Sequence, residues 1–315
     1  MLLNTHTYFS LKYGTWKPEA LLRQALEWGY DCVCVTDINN TSACLDSLRI
    51  GQKLGVKVVP GVDFRNGVNQ CFVAIAKSNE GFEQINRLLT RHLHTGVSVP
   101  EVAPEMDDVC VVYPFDVVSA KEAVLQEVLK QPSGRAFIGV RPYELQRLRF
   151  SALRHHEDRM VVMATVSFRG QRDFNAHRLL RAIDNNTLLS KLPKQEEGDP
   201  RHVLVPRDEL ERCYTDHPSL IDATRVLLEQ CAVDFEFGDS VPPKNKATYT
   251  GSVEGDYQMI RRLCSENLPY RYPQLDDTIT SRIEKELEII RDKGCLLYTS
   301  PSPRDQRGSR MPSSA

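Results

Sequence analysis

Neither sign of charge is in excess: 40 Lys and Arg stand against 42 Asp and Glu, a formal net charge of −2. A chain-wide basic footprint for nucleic acid is therefore missing, although a local patch remains compatible with that balance. No apolar run approaches the ~20 residues that a membrane span needs. The amino terminus lacks a basic stretch leading into a long apolar core, so no secretory signal is expected. There is no Cys-x-x-Cys pair among the nine cysteines, and nine is an odd number. A disulfide framework and a cysteine zinc site are both disfavoured. Buried free thiols suit a reducing compartment, and a cytoplasmic location is expected. Cys32 and Cys34 alternate with Val33 and Val35, which puts both thiols on one face of a strand. The remaining composition, 41% hydrophobic and 26% charged over 315 residues, is ordinary for a globular chain of about two domains.

What is present begins at the amino terminus. The apolar start Met1-Leu2-Leu3 runs into a polar knot, Asn4-Thr5-His6-Thr7-Tyr8-Phe9-Ser10, and a helix opens at Pro18. Strand, polar turn and helix in that order are how α/β enzymes present reactive side chains at the carboxyl edge of a sheet. Taken alone, the knot also reads as a polar loop with one histidine. A second stretch, Val33-Cys34-Val35-Thr36-Asp37-Ile38-Asn39-Asn40, strengthens the reactive reading.

Strand-like and helical stretches alternate from there. Helices are expected over Lys17–Trp28, Thr41–Leu54, Glu80–His92, Ser119–Lys130, Pro142–Phe150 and Asp173–Ile183. Strands are expected over Asp31–Thr36, Val56–Pro60, Gln70–Ala76, Val109–Tyr113, Ala136–Val140 and Met160–Thr165. Near-continuous apolar strands alternating with helices predict a parallel sheet buried on both faces, able to close into a small barrel. His6, Asp37, Asp63 and the segment after Thr165 would then converge at its carboxyl ends. This barrel domain is assigned residues 1–192. The polar segment 193–204 reads as a linker, and 205–294 as a mostly helical second domain whose last helix carries an apolar stripe, Ile279, Ile283, Leu287 and Ile290. Phe237–Thr250 reads as an extended loop stiffened by Pro242-Pro243. The Ser-, Pro- and Arg-rich tail, 295–315, is expected to be disordered and non-native, since it looks like a translated sequencing adapter, and it is left out of the fold reading.

Six stretches together resemble the amino-terminal region of the C-family replicative DNA polymerases of bacteria, the polymerase III alpha subunits, which open with a PHP (polymerase and histidinol phosphatase) domain. LNTHTYFSLKYG is similar to the family's His-x-His-Thr opening, CVTDINN to its strand ending in Thr-Asp-His, and KVVPGVDF to the strand leading into Gly-x-Glu-Phe. Later stretches, AIAKSNEGFEQINRLL, AHRLLRAIDNNTLLS and SRIEKELEIIRDKG, follow the family's spacing over residues 1–294. The resemblance implies a distorted (β/α)7 barrel followed by the helical start of a polymerase core. In active members the strand ends hold two or three metals that hydrolyse phosphate esters, with imidazole and carboxylate ligands.

The family's ligand pattern is broken in this chain. Asn4 stands for the first histidine and His6 remains. Ile38 replaces the histidine after Asp37, and Asp63 replaces the glutamate. Val166, Ser167, Phe168 and Arg169 stand where the family has Asn-Asp-x-His, and Arg169 would bring a positive charge to the cation's place. His177 matches a later family histidine; His92 and His94 read as solvated. The expectation is a vestigial site of Asn4, His6, Asp37, Ile38, Asp63, Arg169 and His177 that holds no metal, with Asp37 pairing Arg169. By resemblance, the whole protein would be a DNA-directed DNA polymerase using two Mg²⁺ on palm aspartates beyond Gly294, with a proofreading exonuclease, a sliding clamp and primer-template DNA as partners. The barrel would serve as a structural and docking module. Two rival readings are a phosphoesterase or 3′–5′ exonuclease using His6, Asp37, Asp63 and His177 with Mn²⁺ or Zn²⁺, and a standalone binding protein.

Overall fold

A computed structural model describes residues 2–132, 134–237, 248–272 and 274–292. Of the expected loop Phe237–Thr250, residues 238–247 lie outside these residues, as does the whole tail 295–315. The first unit, Met1–Glu236, begins with β1 (Leu2–Thr5), α1 (Pro18–Glu27), β2 (Cys32–Val35), α2 (Cys44–Leu54), β3 (Lys57–Asn66), β4 (Asn69–Ala76) and α3 (Asn79–Thr95). It continues with β5 (Val109–Pro114), α4 (Phe115–Ala120), α5 (Glu122–Lys130), β6 (Ala136–Val140), α6 (Leu145–Phe150), β7 (Met160–Val162), β8 (Thr165–Val166), α7 (Gln171–Asp184), α8 (Arg207–Cys213) and α9 (Pro218–Glu229).

The strands form one sheet in the order β7-β6-β5-β4-β3-β2-β1-β8. Chain continuity forces this sheet to curl. β7 and β8 occupy opposite edges, yet only Met163 and Ala164 separate them. Laid flat, eight strands would put those edges roughly 34 Å apart, whereas three Cα steps reach at most ~11 Å. The sheet therefore wraps around a barrel-like interior, and the strand expected over Met160–Thr165 is two strands on opposite edges.

One strand departs from the parallel expectation. β4 runs antiparallel to both β3 and β5. A two-residue turn joins β3 to β4, and its first residue, Gly67, has φ +61°, a conformation glycine adopts without Cβ strain. Gly67, first of the two turn residues, is a sequence signal for this hairpin.

The interior divides into an apolar and a polar part. Alternate residues Cys32 and Cys34, Val73 and Ile75, Cys110 and Val112 join Leu3, Val59, Phe137, Val161 and Met163 in one buried cluster. The shared face expected for Cys32 and Cys34 is present. Burial pushes both thiols up in pKa, Cys32 to about 11, so they stay protonated. Leu227 and Leu228 of α9, with Cys231 just beyond it, complete this cluster. The same helix accepts the N–H of Val162 on edge strand β7 at Thr224 Oγ1, 2.8 Å, so the open edge is covered. Tyr214 donates its buried hydroxyl to the Val140 carbonyl at 2.7 Å.

Residues 193–204 are not a free linker. Gly198 N–H donates to His177, His202 carbonyl accepts from Ser167 N–H at 2.8 Å, and Arg178 pairs with Glu197 at 2.8 Å. Leu204 is buried beyond them. The segment straps β8 and α7, and α8 and α9 belong to the first unit.

In the second unit, α10 (Val253–Arg271) and α11 (Asp277–Asp292) are tied by an Arg261–Glu284 ion pair at 2.8 Å and by Arg291 over the Tyr257 ring, 4.9 Å from its centroid. Leu287 is buried, and Ile279, Ile283 and Ile290 are half-buried along the expected stripe.

Candidate functional site

The carboxyl ends of β1, β2 and β8, with the middle of β3, bring the polar residues of the sequence together. His6 follows β1 and is fully buried. Its Nδ1 lies 2.7 Å from Ser167 Oγ, and its Nε2 lies 2.9 Å from Asp63 Oδ2. Alternation along β3 puts Arg65 on the same face as Asp63. The Arg65 Nε and Nη2 groups donate to the same Asp63 Oδ2 at 3.1 and 2.7 Å. Arg65 is 6% exposed and lies 5.1 Å from the centroid of the Tyr13 ring. Burial alone would raise the Asp63 pKa, but the Arg65 charge and the bonds from His6 and Arg65 hold it well below the carboxylate range. Asp63 Oδ1 is buried with no hydrogen-bond partner among the described residues.

Asp37 is engaged separately. Its Oδ1 accepts from Thr7 N–H and Ser10 Oγ, both at 2.6 Å, and its Oδ2 accepts from Thr7 Oγ1 at 2.7 Å. Burial pushes its pKa up, against hydrogen bonds from Ser10 and Thr7 that favour the charge. Ser10 Oγ also accepts the Ile38 N–H at 3.0 Å. The loop can reach Asp37 only because it folds tightly on Gly14, where a Cβ would lie 1.9 Å from the Thr7 carbonyl oxygen. Asn4 accepts from Thr36 Oγ1 at 2.9 Å and donates to Thr165 Oγ1 at 3.3 Å, which ties β1 to β2 and β8. A second buried ion pair lies beside them. Arg141 Nη1 donates to Glu144 at 3.0 Å, its Nη2 to Gln70 at 2.6 Å, and its Nε to Thr165 Oγ1 at 3.3 Å.

Arg169 does not enter this network. It is exposed, pairs with Asp173 at 3.1 Å and lies over the Trp16 ring. The reason is local: Phe168 turns inward to Tyr13 and Phe174, so its neighbour points out. The expected Asp37–Arg169 pair is replaced by Asp37 with Thr7 and Ser10, and by Asp63 with Arg65. Ile38 packs against the Tyr13–Phe168–Phe174 cluster and lines a mouth cavity of about 180 Å³ with Tyr13, Asn39, Arg65 and Arg181. Of the two histidines read as solvated, His94 is exposed, whereas His92 is half-buried and meets the Val97 carbonyl.

His177 is a buried staple. Its Nδ1 lies 2.9 Å from the Tyr13 carbonyl, and its Nε2 accepts the Gly198 N–H at 2.8 Å, which assigns a neutral ring. Burial lowers its pKa to about 4. A histidine whose folded pKa is depressed contributes fully above its unfolded value of ~6.5, and that contribution is lost as pH falls toward 4. Protonating His177 should cost about 3 kcal/mol across that window. His202, pushed well below its ordinary range by burial and then by Arg141, acts in the same direction. In urea melts over that range, His177→Gln, which keeps one donor and one acceptor, should flatten the decline in stability; an unchanged slope would show that His177 is not its source.

Arg65 is the residue that sequence reasoning overlooked, and its signal was the i, i+2 alternation Asp63-Phe64-Arg65. Thr7 and Ser10, inside the opening knot, also went unassigned. Among the described residues, no three His, Cys, Asp or Glu side chains gather as a group that could hold a metal ion.

Residues 3–124 match the family model for the PHP domain. The DNA polymerase III subunit alpha of Bacillus subtilis (strain 168) is 24% identical, over 92% of this chain and 28% of its own length. The error-prone DNA polymerase of Symbiobacterium thermophilum is 22% identical, over 91% of this chain and 30% of its own. The DNA polymerase III subunit alpha of Escherichia coli (strain K12) is 20% identical, over 93% and 28%. The chain thus spans about three-tenths of the length of these relatives.

Proposed function

We propose that this chain is the barrel-bearing part of a replicative polymerase whose PHP site has become structural, since residues 3–124 match the PHP-domain model and the chain is similar to part of DNA polymerase III alpha subunits. The observation that carries this reading is the Arg65 guanidinium bonded to Asp63. A guanidinium at the carboxylate supplies the positive charge that a metal would supply, and it leaves no lone pair free on Asp63 Oδ2 for coordination. His6 has both nitrogens engaged, His177 has both held by backbone, and Asp37 has three donors. Asp63 Oδ1 is the one oxygen of this set left without a donor among the described residues, and a single free oxygen falls short of the several ligands that a divalent cation takes.

In this reading the barrel stabilises the polymerase and offers a docking surface to a separate proofreading exonuclease. Primer-template DNA, the sliding clamp and Mg²⁺ belong to the whole protein's nucleotidyl transfer, which takes place in the cytoplasm. Residues beyond Glu236 open the polymerase core. The test is a metal titration. After incubation with Mn²⁺ or Zn²⁺ and desalting, elemental analysis should find no stoichiometric metal, and phosphoesterase assays should stay at background. Stoichiometric metal with activity abolished by His6→Ala would replace this reading with that of a phosphoesterase.

A further inference from the structure

We propose that the outer face of α6 and the turn after it, Gln146 to His155, bind single-stranded DNA. The segment Leu145–His156 carries Arg147, Arg149 and Arg154 and no acidic residue, within a chain of net charge −2. Charge of this sign, gathered in one place, favours a polyanion. Among the described residues, neither Arg149 nor Arg154 is paired with a carboxylate. Arg154 Nη1 donates to the Arg149 backbone carbonyl at 3.4 Å and its Nε to His155 Nε2 at 3.3 Å, which anchors Arg154 to the end of the helix. Arg147 differs, since Asp116 neutralises it and it lies over the Phe115 ring.

Between these arginines stands Phe150, 80% exposed. Its ring is held out by a fixed support: Leu148 and Leu153 are buried on either side, and Ser151 Oγ accepts the Leu153 N–H at 3.1 Å. Phe150 borders a groove of about 470 Å³ whose lining includes Phe115, Ser119, Gln146 and Ser151. A solvent-facing aromatic beside hydroxyl and amide groups and flanked by guanidinium groups that no carboxylate neutralises suits an unstacked base with its phosphates. The ring takes the base face, Arg149 and Arg154 take the phosphates, and Gln146 and the serines meet base edges. Duplex DNA keeps its bases stacked and would leave Phe150 unused. An acidic peptide would use the arginines but not the ring. The inference rests on this surface and not on the state of the PHP site.

The experiment is fluorescence anisotropy of a labelled oligothymidylate with the 315-residue chain, at low and physiological salt. Phe150→Ala should weaken binding about ten-fold, as expected for loss of one stacked base. Phe150→Trp should bind at least as tightly as the unchanged chain. Arg149→Ala with Arg154→Ala should lower the salt slope by roughly 1.4 on a logarithmic scale, about 0.7 for each phosphate contact to a single strand. Thermal melts of each variant check that the fold is kept. Undetectable binding at low salt, or affinity unchanged in Phe150→Ala, would overturn the proposal. So would competition by duplex DNA or by polyglutamate as effective as that by the single strand, the latter pointing to an acidic protein instead.

Discussion

Replacing Arg65 with alanine should destabilise the first unit by about 3–5 kcal/mol, because it leaves the Asp63 carboxylate buried without its charge partner. Both tryptophans, Trp16 and Trp28, lie in this unit, so fluorescence-monitored urea unfolding follows it alone. The same physics supplies two controls. Asp63→Leu combined with Arg65→Met should recover most of the loss, since a buried ion pair exchanged for apolar groups of similar size is often neutral or better. The deficit of Arg65→Ala should also shrink in acid. In the unchanged protein, Asp63 has a depressed folded-state pKa, so its contribution is present above the unfolded value of ~3.9 and fades as pH falls below it. Without Arg65 the carboxyl takes up its proton at higher pH, and the penalty of an unpaired charge disappears there. A cost under about 1 kcal/mol, the range of an exposed pair, would mean that Arg65 is solvated and does not fill the site.

Truncation should give the other large effect. A fragment ending at residue 204, the end of the expected linker, should fail to unfold cooperatively and should bind a hydrophobic dye. A fragment ending at residue 236 should melt in a single transition. The difference is α9: Leu227, Leu228 and Cys231 are buried among residues of β1 to β7, and Thr224 caps the β7 edge. Removing them uncovers the apolar end of the barrel and an unpaired strand edge together. Cooperative unfolding of the shorter fragment would show that α8 and α9 are accessories to the fold.

Much of the architecture was legible in the chain because it depends on near neighbours. Apolar runs bounded by Gly and Pro located the strands, and the alternation of Cys32 with Cys34 named one inward face. The β3–β4 hairpin was signalled by Gly67, although a count of strands and helices passes over it. The amphipathic pattern of α9 announced a buried face but could not name its partner. Any apolar surface satisfies such a pattern, and only the curled sheet supplies this one. The split of Met160–Thr165 into two edge strands was likewise hidden, since an apolar run carries no mark of which neighbour it will pair with.

The opening knot shows the division most sharply. By itself, the sequence determined which groups could meet near the strand ends: Asn4, His6 and Asp37 close apolar runs whose length and composition make them strands, whereas Asp63, expected just past its strand, lies in the middle of β3. The tertiary structure alone decided who pairs with whom. Arg169 and Arg65 are equally cationic on paper. Phe168 turning inward points Arg169 to solvent, whereas β3 carries Arg65 alongside Asp63 and under Tyr13. Charge is a property of the residue, but a buried ion pair depends also on the exclusion of water, and that is decided by the packing of β1, β2 and the Tyr13 ring around Asp63 and Arg65.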